Sequence, residues 1–326
     1  MVTMRIVEAV VHVMDKDSGN VVVSHKAVDP SDVVMEEYLQ KAIEKLMKTE
    51  YTEANLADCR VVANLVNHPA DFVANSAQIS LDFFDAIKGA TKINGGDLLF
   101  FRAQNDDLVD MTGMIKLDYN AKYLHSIEYD EDLLVNTIIQ NKTILPAPVT
   151  TVKDGFLVMG DTIRIQSKKY DNNGEDWTFA QNILQIPVVK KVSEEIKVIE
   201  RTVKETAKKY TENDVLTVPE THKAVYESIK KDEQIDSEYV AEKVFQDNPE
   251  AKVAFREKLK ERGVSETVRV PNAPIFEKKY QKQKIKLGNG IEMTVPVDVL
   301  KNKDVVEFRT NPDGTMSVIV KNVERE

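Results

Sequence analysis

Asn94-Gly95-Gly96-Asp97-Leu98-Leu99-Phe100-Phe101-Arg102-Ala103 is the stretch at which the sequence changes period. Upstream of it, residues 71–87 carry apolar side chains at helical spacing, and Gly89 supplies a stop. Downstream, residues 98–103, 108–117 and 123–129 are aliphatic, β-branched and aromatic runs separated by turn residues, which predicts strands. Working back toward the N-terminus, Pro30-Ser31-Asp32 opens a predicted helix reaching about Lys48. Its apolar positions are Val34, Tyr38, Leu39, Ala42, Ile43 and Leu46. Before it, the valine-rich residues 5–14, the turn Asp17-Ser18-Gly19-Asn20 and residues 21–24 predict a β-hairpin. On the C-terminal side, residues 156–167 and 177–186 flank Asp171-Asn172-Asn173-Gly174, a second hairpin signal. Residues 1–187 therefore read as an α+β domain around a mostly antiparallel sheet.

Composition changes near Pro187. Val192, Ile196, Ile199, Val203 and Tyr210, with Ala207 between, form one helical stripe on a charged surface. If the middle of the chain leaves that stripe open, a two-fold partner helix is the simplest cover, and a homodimer is the expected assembly. Shorter helices follow. The clearest has Asn248 as N-cap and Pro249 as its first residue, and ends before Gly263. Residues 271–274 read as a linker. Two hairpins close the chain, turning at Gly288-Asn289-Gly290 and at Asn311-Pro312-Asp313-Gly314. In the first, pairing Leu287 with Ile291 sets Ile285 against Met293 and Gln283 against Val295 on a mostly apolar side. Lys286 then faces Glu292, and Lys284 faces Thr294, on the polar side. The division expected is an α+β domain over 1–187, a helical segment over 188–265 and a small β-rich unit over 266–326.

With 326 residues, two or three such units are ordinary. The single cysteine, Cys59, excludes a disulfide-stapled fold and fits a reducing, cytoplasmic compartment. No stretch approaches the roughly 20 apolar residues of a membrane helix, and Glu8 and His12 interrupt the N-terminal apolar run that a signal peptide would need. Net charge is −10, but it is unevenly spread. Residues 1–187 carry 17 Lys/Arg against 28 Asp/Glu, whereas residues 251–290 carry 11 against 4. The chain is acidic with one concentrated basic segment.

Catalytic motifs are missing: there is no Walker loop, no G-x-G-x-x-G after a strand, no H-E-x-x-H, no G-x-S-x-G and no C-x-x-C. His12, His25, His68, His125 and His222 lack metal-ligand spacing, so structural or surface roles are expected. Cys59 reads as a small apolar residue rather than a nucleophile. Asp15, Asp17 and Gly19 resemble the start of a calcium loop. The glycine comes one position early, however, and Lys26 stands where the closing glutamate belongs, so a hairpin turn is expected. Asp106, Asp107 and Asp110 are expected in a solvated loop; a metal-dependent hydrolase built on them is the least favoured function. No cofactor or metal is expected.

The basic segment carries the chemistry. Read as a strand, it places Lys278, Tyr280, Lys282, Lys284 and Lys286 on one face at roughly 6.6 Å intervals. A lysine row with an interleaved ring suits a nucleic-acid backbone. The preceding helix adds Lys252, Arg256 and Lys260 at i, i+4 and i+8. The same lysines would also serve as a solvated strand face that discourages edge pairing, or as a contact to the acidic N-terminal domain or a second subunit.

In order along the chain, Ile6-Val7-Glu8-Ala9-Val10-Val11-His12, Gly96-Asp97-Leu98-Leu99-Phe100-Phe101, Ile144-Leu145-Pro146, Leu287-Gly288-Asn289-Gly290-Ile291 and the closing Asp-Gly hairpin resemble the bacterial nucleoid-associated proteins of the YejK/NdpA type. The resemblance implies a cytoplasmic, nucleoid-located, non-enzymatic protein, and it carries over no catalytic or base-reading residue. The expected function is weak, sequence-tolerant DNA binding through residues 251–290. DNA would be contacted directly or through a DNA-bound protein, with no membrane partner. The alternative is a non-catalytic adaptor that binds a chromosome-processing protein through the acidic N-terminal domain.

Overall fold

A computed structural model describes residues 4–29, 32–130, 133–172, 174–210, 217–246, 248–286, 290–300, 302, 304–311 and 316–322. The chain divides into two compact units, Met1–Val189 and Lys190–Glu326. The fold is α+β.

Unit 1 runs β1 (Met4–Asp15), β2 (Asn20–Val22), α1 (Val33–Met47), β3 (Thr52–Asn55), α2 (Arg60–Asn67), α3 (Phe72–Ile87), β4 (Gly96–Asn105) and β5 (Asp110–Asp118). It continues through β6 (Asn120–Asp130), β7 (Leu133–Ile144), β8 (Gly155–Met159), β9 (Thr162–Gln166), β10 (Lys169–Asn172), β11 (Glu175–Thr178) and the short α4 (Phe179–Asn182). Seven strands among the described residues form one antiparallel sheet, in the order β2-β1-β4-β5-β8-β9-β3. The stretch 96–103 shows why it is central. Leu98 and Phe100 enter a core with α2 and α3, while Leu99 and Phe101 enter a second core with α1. With both faces covered, β4 has no polar side to alternate, hence its unbroken apolar run. Asp32 caps α1 by accepting from the Val34 and Met35 backbone N–H at 2.9 and 3.0 Å.

Crowding from the two flanking strands, β4 and β8, requires glycine at 113. A Cβ there would lie 2.5 Å from Phe101 Cζ and 2.7 Å from the Phe156 carbonyl oxygen. Gly113→Ala is expected to cost about 1–3 kcal/mol in chemical denaturation, because neither the ring nor the strand backbone can retreat from a packed sheet.

One expectation for unit 1 needs correction, and further elements lie where the apolar pattern gives no reading. Residues 155–166 do not pair with 177–186; they form their own hairpin, β8–β9, and the hairpin of 171–174 joins the shorter β10 and β11. Gly160, at φ +58°, makes the unforeseen turn. Residues 52–67, for which the apolar pattern predicted nothing, supply edge strand β3 and helix α2. Strand 123–129 has a long partner, β7, and the two pair only with each other among the described residues.

Unit 2 runs α5 (Val192–Tyr210), α6 (Thr217–Asp232), β12 (Gln234–Asp236), α7 (Ser237–Phe245), α8 (Pro249–Glu261), β13 (Thr267–Arg269), α9 (Ala273–Tyr280), β14 (Lys282–Lys286), β15 (Glu292–Pro296), α10 (Val297–Leu300), β16 (Val306–Thr310) and β17 (Met316–Val320). Its core draws Ile196, Ile199 and Val203 of α5 against residues that include Ile229, Val240 and Phe255 of the following helices. The α5 stripe is therefore covered from within the unit, and the condition for a partner helix there is not met. Asn248 caps α8, accepting from the Ala251 N–H at 3.0 Å, with Pro249 as the first helical residue.

Residues 271–274 are not a linker. Asn272 precedes α9, Pro274 sits in its first turn, and Ala273, Phe276 and Tyr280 are buried at helical spacing in the core of the unit. The β14–β15 register is the expected one, pairing Gln283 with Val295, Lys284 with Thr294, Ile285 with Met293 and Lys286 with Glu292. The Leu287–Ile291 pair and the turns at 288–289 and 312–314 lie outside the described residues, as do Pro30, Ser31 and Asn173.

Candidate nucleic-acid interface

The basic segment is two elements rather than one strand. Lys278 and Tyr280 belong to α9, and Lys282 and Lys284 to β14. In a helix, residues 278 and 280 point about 200° apart, so Lys278 is exposed while Tyr280 is buried at 6% exposure. The Tyr280 ring meets His222 edge-on at 5.4 Å. It holds α9 against α6 and offers no stacking surface. Lys279 is exposed beside Lys278, and its ammonium lies over the Tyr280 ring, 5.4 Å from the centroid, in a cation–π contact. A strand reading hides Lys279 on the wrong face; a helical reading of 273–280 would have found it.

Alternation holds in β14. Lys282 and Lys284 are exposed, and Gln283 between them is buried, its Nε2 donating to the Pro219 carbonyl at 2.5 Å. That bond fixes which side of the strand faces the unit. Lys284 forms an ion pair with Glu292 on β15. The Lys286 backbone pairs with Glu292, and its side chain lies outside the described set. In sequence, residues 277–286 hold Lys278, Lys279, Lys282, Lys284 and Lys286 against Glu277 alone.

The second group, Lys252, Arg256 and Lys260, lies on α8, which packs on α5 and α7, whereas β14 packs on α6 and α9. Arg256 forms an ion pair with Glu238, and Lys252 is half-buried. Arg256 and Lys260 line a groove of about 1000 Å³ shared with Asp236, Glu238, Glu257 and Glu266. Carboxylates outnumber cations there, so the groove does not favour phosphate.

Elsewhere, polar groups are occupied in holding the fold. His12 is fully buried; its Nδ1 accepts from the Ser24 N–H at 3.0 Å, so Nε2 carries the proton toward Ser76 Oγ at 2.9 Å. Ser76 Oγ donates to the Val73 carbonyl at 2.9 Å. A histidine whose basic nitrogen is already used cannot activate that serine. The Cys59 thiol is buried, bonds to the Leu184 carbonyl at 3.3 Å, and is pushed up in pKa by burial, which leaves it inert as a nucleophile. Asp106 and Asp107 are exposed in the β4–β5 turn, and Asp110 accepts from Gln104 Nε2 at 2.9 Å. Asp15 accepts from the Ser18 N–H at 3.3 Å within the first hairpin turn. Among the described residues no three His, Cys, Asp or Glu converge as a metal site requires. No helix of the described residues is long and apolar enough to cross a membrane.

Apolar periodicity did not predict a buried polar chain on the sheet. The Lys116 side chain, 1% exposed, pairs with Asp118, which also takes Lys153 at 2.5 Å. Asp154 is fully buried; its two oxygens accept from the Lys168 N–H at 3.0 Å and the Tyr170 hydroxyl at 2.5 Å. Burial raises the Asp154 pKa, while the neighbouring ammonium groups of Lys116 and Lys153 outweigh burial at Asp118 and lower its pKa. These bonds tie β5, the start of β8 and β10 together.

A family model described as nucleoid-associated protein YejK matches residues 10–326, nearly the whole chain. Among curated proteins, none matches the sequence significantly.

Proposed function

Because the chain belongs to the family of the nucleoid-associated protein YejK, we propose that it joins the bacterial nucleoid by direct, weak, sequence-tolerant contact between DNA phosphates and the cations of α9 and β14. It does so as a non-enzymatic cytoplasmic protein. The observation that supports this most is the exposure of Lys282 and Lys284 on either side of the anchored Gln283, directly after the exposed Lys278 and Lys279. Ammonium groups on α9 and β14 neutralise phosphates as point charges and read no base edge, which makes the binding salt-dependent and indifferent to sequence. Lys252, Arg256 and Lys260 contribute less in this reading, since Lys252 is half-buried and carboxylates outnumber cations in the α8 groove.

The test is titration of unrelated duplexes with the Lys282→Gln, Lys284→Gln double variant. Its fold should hold, because exposed substitutions change stability by less than about 0.5 kcal/mol. Affinity is expected to drop alike for every sequence, and the slope of log affinity against log salt to shrink by roughly 0.9 per lysine. Glu292→Gln is expected to tighten binding slightly by releasing Lys284. An unchanged slope in the double variant would reject the site.

The acidity of residues 1–187, with 17 Lys/Arg against 28 Asp/Glu, favours a second reading. Unit 1 would capture a basic, DNA-bound protein, making the chain an adaptor. Under that reading the purified protein has no affinity for naked DNA at any salt concentration.

A further inference from the structure

Among the described residues, the β6–β7 ladder is long and pairs with no other strand. Ten residue pairs run from Asn120–Ile144 to Asp130–Leu133, with one irregularity near its base. Nine large apolar side chains between Tyr123 and Ile139 are 41–76% exposed. An isolated two-stranded ribbon is marginal in water, and exposed apolar strands invite association unless charges or prolines blunt them.

The two faces of the ribbon differ. Cross-strand pairs Tyr123–Gln140, His125–Ile138, Ile127–Asn136 and Tyr129–Leu134 share one side, because side chains alternate along each strand. That side presents Tyr123, Ile127, Tyr129, Leu134 and Ile138 at 72%, 58%, 76%, 56% and 74% exposure. Its remaining side chains are His125, Asn136 and Gln140, so none of the eight residues in these four pairs is a carboxylate, lysine or arginine. Lys122 and Glu128 fall on the opposite side.

We propose that this uncharged face is a self-association surface, on which the same face of a second copy of the chain packs about a two-fold axis. Area supports that occupant. At roughly 150–250 Å² for an aromatic side chain and less for Ile or Leu, the five apolar groups at 56–76% exposure, with their polar neighbours, offer on the order of 800 Å². That matches the roughly 800 Å² that each partner contributes to a stable interface. A two-fold contact needs one self-complementary patch, and flat sheet faces pack on each other through interdigitated side chains. DNA is a poor occupant, since the face carries no fixed positive charge and residues 120–144 hold Lys122 and Lys142 against four carboxylates. The proposal is independent of the DNA contact assigned to α9 and β14.

Light scattering on the full chain tests it. The wild type is expected at twice 36.9 kDa at concentrations well above micromolar. Ile138→Glu and Ile138→Lys, each with an unchanged far-ultraviolet spectrum, are expected to weaken self-association by at least ~100-fold. An equimolar mixture of the two is expected to recover a dimer, which a merely misfolded arm would not do. Leu133→Ser, an equally apolar loss on the opposite face, is expected to leave the dimer intact. A monomeric wild type would overturn the proposal. So would a dimer indifferent to Ile138→Glu, or arm variants whose only defect is lost binding to DNA.

Discussion

Phe100→Ala is expected to lower the stability of unit 1 by about 3–5 kcal/mol, read as a shift of the chemical denaturation midpoint. Phe100 has no exposed surface, and it lies in β4, hydrogen-bonded between β1 and β5. Its ring packs edge-on to His12 at 5.6 Å and into the cluster formed by α3, Met114 and Phe156. Strand neighbours on both sides hold the backbone in place, so the site cannot collapse around an alanine. The lost transfer energy and the retained cavity therefore add. A loss below about 1 kcal/mol would show that the site relaxes freely and that the neighbouring strands do not hold the cavity open.

The second large effect is a pH dependence carried by His12. Burial without a compensating charge holds its imidazole down from 6.5 to about 4. Between those values the unfolded chain has bound a proton that the folded chain refuses, so stability rises with pH across the window. The contribution is complete above pH 6.5, is lost as pH falls toward 4, and levels off below that. At 1.36 kcal/mol per unit, it amounts to about 3 kcal/mol. His12→Gln retains a donor toward Ser76 and an acceptor for the Ser24 N–H, and is expected to remove that slope from the difference between variant and wild type. Equal slopes in the two proteins would mean that His12 titrates normally. Because Phe100 covers one side of the imidazole, Phe100→Ala should also shrink the His12 slope by admitting water.

What could be read from residues alone follows physical rules that differ between elements. The β14–β15 register was legible because Gln283, Ile285, Met293 and Val295 alternate with lysine, threonine and glutamate, and one-residue slippage would bury charge. Asn248-Pro249 announced α8 because cap and first-turn proline chemistry is local. The ribbon partner β7 was illegible for the opposite reason. Leu133-Leu134-Val135 and Ile138-Ile139 place apolar groups on both sides, so no period separates a core face from a solvent face. In α9 the lysine spacing of two suggested a strand, yet Ala273, Phe276 and Tyr280 have helical spacing and their burial decides the conformation. Pro274 was ambiguous by nature, since proline both ends loops and opens helices. Within the candidate site, the exposure of Lys278, Lys282 and Lys284 agrees with their charge, whereas the burial of Tyr280 and the pairing of Arg256 depend on tertiary neighbours that local pattern does not encode.

Direct contact with DNA phosphates is decided by titrating the purified 326-residue chain with naked duplexes of unrelated sequence. Affinity measured from about 50 to 200 mM salt is predicted to fall linearly on logarithmic axes, with one slope common to all sequences. Absence of binding at the low-salt end, or an affinity that salt leaves unchanged, would contradict it.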